Sequence, residues 1–185
     1  VSLLRFCEWL GATPGSIALH NSLYAYLIVS TVHVVTIALF AGTAAMLDLR
    51  LLGAALRDVP LSEVAARLRP WIVTGFLLML VSGGLLFYAN PVPRYQNLFF
   101  RTKMLLLVLA GLNALAFQRQ TGRSLAAWDL GTRPPTRVRI AGGVALALLA
   151  GIILSGRMIA YDWFDCRRPQ PAFVSVLAGC VADAR

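Results

Sequence analysis

NSLYAYLIVSTVHVVTIALFAGTAAML, residues 21–47, is a long apolar stretch in which one basic or acidic side chain, His33, stands near the middle. A helix rises about 1.5 Å per residue, so about 20 apolar residues cross roughly 30 Å of hydrocarbon. The stretch is long enough for that. Only helices and closed barrels satisfy the backbone in lipid, and neither period-2 alternation nor short barrel segments occur here. It therefore reads as a membrane-spanning helix.

Three further runs of the same kind follow, at residues 71–89, 98–117 and 138–161, each bounded by charge or by proline. The chain has 185 residues, 58% hydrophobic and 14% charged, with a mean hydropathy of +0.72. A soluble domain of this size cannot hide that much apolar surface. The expected fold is all-α, an integral membrane four-helix bundle forming a single domain over residues 1–185.

Short interfacial helices are expected beside the spans. In VSLLRFCEWLGATPG, Arg5 and Glu8 interrupt the apolar stretch before it reaches the length of a signal-peptide core. Residues 2–11 instead read as an amphipathic interfacial helix carrying Leu3, Phe6, Trp9 and Leu10, ended by Gly11 and Pro14. LSEVAARLRP, residues 61–70, reads as a second one, with Ser62 as its cap and Pro70 starting the next span.

Nine arginines lie in the connections after spans one and three: Arg50, Arg57, Arg67, Arg69, Arg119, Arg123, Arg133, Arg137 and Arg139. The connection between spans two and three holds three cations, Arg94, Arg101 and Lys103. The positive-inside rule then puts the two richer connections in the cytoplasm, both termini outside, and residues 162–185 in an external tail. The net charge of +9 serves topology and anionic headgroups, and nucleic acid is not an expected partner. In an oxidising compartment Cys166 and Cys180 have the choice of closing a loop, while Cys7 has no evident partner.

On a helical wheel Ser22, Tyr26, His33, Phe40 and Ala44 form one stripe, which should face the bundle interior, whereas Ile28 and Val35 lie on the lipid side. An imidazole at mid-span needs a hydrogen-bond partner, and Asn113 of the third span lies at a comparable depth. A bond between them would be ordinary interhelical glue of about 1 kcal/mol. The alternative makes His33 a haem ligand. His20 and His33, both placed on the first span, turn through about 220° between them and cannot sandwich one haem.

In GGVALALLAGIILSGRMIAY, Gly143, Ala147, Gly151 and Ser155 recur every four residues, a small-residue ridge for close helix approach. Arg157 follows, with Tyr161, Trp163 and Phe164 as an aromatic belt. Arg101, Lys103 and Arg157, with Tyr26 or Tyr161, are candidates for an anion or quinone-headgroup site. Asp48 and Arg50 read as an exposed charge arrangement at a helix end.

AGTAAMLDLRLLG, FFRTKMLLLVLAGLNALAF and SGRMIAYDWF together resemble a family of small bacterial four-helix membrane proteins of unknown function, over residues 9–164. The resemblance implies a multi-pass protein of the bacterial inner membrane and no activity; the termini, outside by the positive-inside rule, are then expected in the periplasm. The architecture is also similar to small b-type cytochrome bundles, a likeness that implies haem b. No serine–histidine–carboxylate set, phosphate loop or zinc spacing is present in the sequence. The expected function is a non-catalytic accessory or assembly subunit, with the lipid bilayer and other membrane subunits as partners. The alternative is a single-haem b-type electron carrier. The candidate site residues are His33, Asn113, Arg157, Lys103 and Tyr26, with His33 as the iron ligand.

Overall fold

Ser22 divides what hydropathy runs together. Its backbone is extended, its N–H closes the preceding helix onto the Ala18 carbonyl, and its Oγ accepts from Ala25 N at 3.3 Å. A serine oxygen on an orphan N–H of the first turn is a helix cap. Helix α2 (Pro14–Asn21) therefore ends before it, and α3 (Leu23–Leu52) begins after it. The computed structural model describes residues 3–121, 134–161, 164, 166, 169–178 and 180. Arg123, Arg133 and Trp163, which entered the sequence reading above, lie outside the described residues.

Helix α1 (Leu3–Gly11) precedes α2, and a short turn joins them. Pro14 does not end α1 but opens α2, where a missing N–H costs nothing, under a Thr13 cap whose Oγ1 accepts from Ser16 N at 3.4 Å. Helix α3 stops at Gly53, whose φ of +70° lets the chain turn. Gly53 N bonds Arg50 O at 3.0 Å and Ala54 N bonds Leu49 O at 2.9 Å, the paired closure of a Schellman motif.

Helix α4 (Leu61–Ala89) runs unbroken through Pro70. The expected boundary between an interfacial helix and a span is absent, because the apolar run on one side and the Glu63–Arg67 pair (2.6 Å) on the other continue one helix across the proline. The cost is the bond that proline cannot donate and the crowding of its ring against the carbonyl four residues earlier. Helix α5 (Pro91–Tyr95) is a short turn between spans. Asn97, 2% exposed, caps α6 (Leu98–Thr121) by accepting from Phe100 N, and Leu98 N bonds Phe164 O at 3.1 Å. Helix α7 (Thr136–Met158) continues into a 3-10 turn (Ile159–Tyr161), and α8 (Ala172–Ala178) lies beyond.

Helices α3, α4, α6 and α7 are each long and apolar enough to cross a membrane, and together they make a helical bundle with no strand among the described residues. The chain divides into two compact units. The first holds residues 1–33, 80–105 and 152–185, and the second residues 34–79 and 106–151.

In the second unit one layer draws on all four long helices: Leu51, Leu61 and Val138 are buried, with Leu47 and Phe117 packed against them. Arg50 is 2% exposed and donates from Nε to the Val59 carbonyl at 2.9 Å, tying the end of α3 to the loop that follows. It is thus no member of an exposed charge arrangement with Asp48. A Cβ on Gly142 would stand 2.9 Å from Leu51 Cβ and 3.0 Å from the Asp48 carbonyl, so α7 meets α3 there at backbone range. The expected ridge does not act as one surface. Gly143 faces Leu52, Gly151 faces Leu106 on a different helix, and Ala147 is exposed.

In the first unit, Phe87 stacks on Phe100 with ring centroids 5.5 Å apart, and Phe99 meets Phe164 at 5.6 Å. A disulfide joins Cys166 to Cys180 around α8, whose Val174 and Ala178 are buried.

Glycine 142 gives the sharpest test of this packing. Gly142→Ala is expected to destabilise by about 1–3 kcal/mol through overpacking, although alanine is the better helix former by about 1 kcal/mol. Gly111→Ala, with nothing within 4 Å of the new Cβ, is expected to leave stability unchanged or raised; denaturant titration in detergent measures both.

Candidate functional site

The first unit gathers most of the polar side chains that the sequence singled out. His33 is half-buried on α3, and its Nδ1 lies 2.9 Å from the Oγ of buried Ser82 on α4. Which of the two atoms donates is set by the tautomer. Beside them, a Cβ on Gly83 would lie 3.1 Å from His33 Cε1, 3.7 Å from Nδ1 and 3.9 Å from Nε2. The imidazole is therefore laid edge-on against α4, and only a residue without a side chain leaves it room. Ile28 and Val35, about two-thirds of the way to full exposure at 61% and 62%, occupy the opposite side of α3.

Asn113 is not the partner of His33. Its Nδ2 donates to the Ala141 carbonyl of α7 at 3.2 Å, within the second unit. Ser82 was missed by the sequence reading, although the Ser-Gly-Gly at 82–84 is a legible signal: a small hydroxyl beside two glycines in an apolar span marks where another helix comes close.

Tyr26 stands two turns before His33 on the same stripe, and its hydroxyl accepts from Arg94 Nη2 at 3.3 Å. Lys103 on α6 is half-buried, with its Nζ 3.6 Å from where a Gly156 Cβ would stand. The other two candidate cations are engaged differently. Arg101 donates from Nε to Tyr95 O at 2.9 Å and from Nη1 to Leu177 O, with its guanidinium 4.4 Å above the Tyr95 ring. Arg157 is exposed and lies 5.2 Å over Tyr161. Of these cations it is Arg94, in the proline-flanked PVPRY turn, that meets Tyr26.

A cleft of about 470 Å³ opens in the same unit, lined by Glu8, Ser16, His20, Asn21 and Asn90 among others. Thr13 Oγ1 and Tyr88 Oη, 2.8 Å apart, and Ser16 Oγ donating to Tyr88 O at 2.6 Å fasten α2 to α4 beside it. His20 belongs to α2, so the two histidines do not share a helix as expected. Among the described residues no group of three or more His, Cys, Asp or Glu is placed to hold a metal. Cys7 is buried, and burial, then the Glu8 charge, pushes its thiol above the usual cysteine range.

Haem on His33 would need one ring nitrogen facing the iron and the other held by a hydrogen bond. Ser82 meets the second condition. That leaves Nε2 as the nitrogen that would hold the iron.

Fold and site together define a multi-pass, all-α membrane protein whose polar side chains mostly bond within the bundle. Residues 6–162 match the family of unknown function DUF6644, and the chain belongs to that family. No curated protein and no solved structure matches the chain.

If His33 and Ser82 are an interhelical strut, a double-mutant cycle of His33→Leu and Ser82→Ala in detergent unfolding is expected to give a coupling of about 1 kcal/mol. Gly83→Val, which fills the imidazole's seat, is expected to destabilise more than either single substitution.

Proposed function

We propose that this protein is a non-catalytic accessory or assembly subunit of a larger complex in the bacterial inner membrane. The observation that carries the reading is a set of outward glycines. Gly42 on α3, Gly84 on α4 and Gly111 on α6 have nothing within 4 Å of the position a Cβ would take. Within a lipid-facing span a glycine gives up helix propensity and side-chain contact for nothing, unless another backbone comes close. Three helices of the bundle therefore carry seats for helices from outside the chain. The inward polar groups serve the fold: His33 bonds Ser82, and Asn113 bonds a backbone carbonyl.

The proposed orientation places both termini in the periplasm. It is supported by the nine arginines after spans one and three against three cations between spans two and three, and by a disulfide in the tail. Labelling of intact spheroplasts with a membrane-impermeant maleimide tests it. Cys166 and Cys180 are expected to react only after reduction, while Cys7 stays slow near neutral pH, since the thiolate is the reactive form and its formation is shifted to higher pH. Labelling that needs the membrane opened would reverse the orientation.

The subunit role is tested by affinity purification in mild detergent from the native membrane. Other membrane proteins are expected to be retained, and Gly111→Leu or Gly84→Leu to lower their recovery without lowering the variant's own melting temperature. A wild-type chain that purifies alone would end this reading. The alternative, a b-type haem on His33, predicts a Soret band that disappears in His33→Ala; the expected spectrum of the gently purified protein has none.

A further inference from the structure

Helix α8 is apolar on more faces than the chain covers. Its sequence, AFVSVLA, has no charged residue, and Ser175 is its one polar side chain. Val174 and Ala178, one turn apart, are buried within the first unit. Away from them Phe173 is 65% and Val176 79% exposed, and Leu177 is exposed as well. A helix that is apolar all round belongs in an apolar surround. The chain supplies it on one side of α8 and leaves the other bare.

Arg101 fixes where that bare side lies. On α6 it shares a face with Leu105, Val108, Leu112 and Leu115, which recur at helical spacing and are all exposed. In a span, a stripe of exposed leucine and valine is the surface turned to lipid. Arg101 heads this stripe in the first turn of α6, where a long cationic side chain runs back toward the interface. Its Nη1 donates to the Leu177 carbonyl at the end of α8. Helix α8 is thus held at the level where a span begins, in line with the lipid-facing stripe of that span. The same tail is tied at this height a second time, by Leu98 N bonding Phe164 O and by Phe164 meeting Phe99. The Cys166–Cys180 disulfide closes the loop that carries α8.

We propose that α8 is an interfacial helix that sets Phe173, Val176 and Leu177 into the lipid leaflet at the end of the bundle where α6 begins. Such a helix gains by burying an apolar face at the boundary between headgroups and acyl chains. The three side chains are bulky, which suits acyl chains, whereas the close approach of another helix favours small residues. The exposed face of α8 then extends the lipid contact of α6 beyond the end of the span.

The test uses the full chain in its native membrane, with photoreactive p-benzoylphenylalanine in place of Phe173, of Val176, or of Leu112 as the lipid-facing reference. Phe173 and Val176 are largely exposed, so neither replacement displaces a packed side chain. After irradiation and purification, the mass of the chain is expected to rise by that of one phospholipid at all three positions. Capture of a protein at Phe173 or Val176, whether a second copy or another membrane protein, overturns the proposal. So does either position adding no phospholipid while Leu112 adds one. In vesicles with brominated acyl chains, Val176→Trp is expected to add fluorescence that the bromines quench; added fluorescence that they leave unquenched overturns the proposal independently.

Discussion

Inside hydrocarbon a polar atom has only the protein to bond to, and the arrangement of this bundle follows from that constraint. His33 reaches Ser82, Asn113 reaches the Ala141 carbonyl, and Thr43 turns its hydroxyl back onto Leu39 O of its own helix at 2.7 Å. Each bond between helices also demands proximity. The imidazole can approach α4 only because Gly83 is there, and the α7 backbone can approach α3 only because Gly142 is there. Satisfying the polar groups and closing the helices are thus linked, most directly where the His33 imidazole meets Ser82 across the gap that Gly83 leaves.

The four spans were legible because hydropathy integrates over long windows, and no single residue decides it. Boundaries depend on single bonds, and there the reading failed where the deciding residue was small. Ser22 ends one helix and caps the next through one N–H and one hydroxyl, which hydropathy cannot register. Pro70 looked like a boundary, yet a helix loses one bond at a proline and the run on either side continues it. The Gly53 stop was readable from the end of LRLLG, because a positive φ after a helix asks for glycine.

Of the candidate site, the stripe on α3 was legible and its partners were not. Helical periodicity places Tyr26 and His33 on one face, but which neighbouring helix meets that face depends on packing that periodicity does not contain. Asn113 has the depth to reach His33, but depth along the membrane normal fixes only one coordinate of three. Among the cations, Arg101 and Arg94 are seven residues apart and equal by charge count. They differ only in what surrounds them: Arg101 bonds the Tyr95 and Leu177 carbonyls and lies over the Tyr95 ring, whereas Arg94 bonds the Tyr26 hydroxyl.

The glycines complete the argument, since the same residue type does two opposite things in this chain. Gly83 and Gly142 are seated against His33 and against α3, and their lack of a side chain is used within the bundle. At Gly42, Gly84 and Gly111 a Cβ would meet nothing within 4 Å from the rest of the described chain. A glycine in an apolar span is unfavourable to helix formation by about 1 kcal/mol relative to alanine, wherever it points. Gly83 and Gly84 are adjacent, and one glycine would have been enough to admit the imidazole. The second lies on a different face of the same turn, where a side chain would meet nothing within 4 Å, so the imidazole does not account for it.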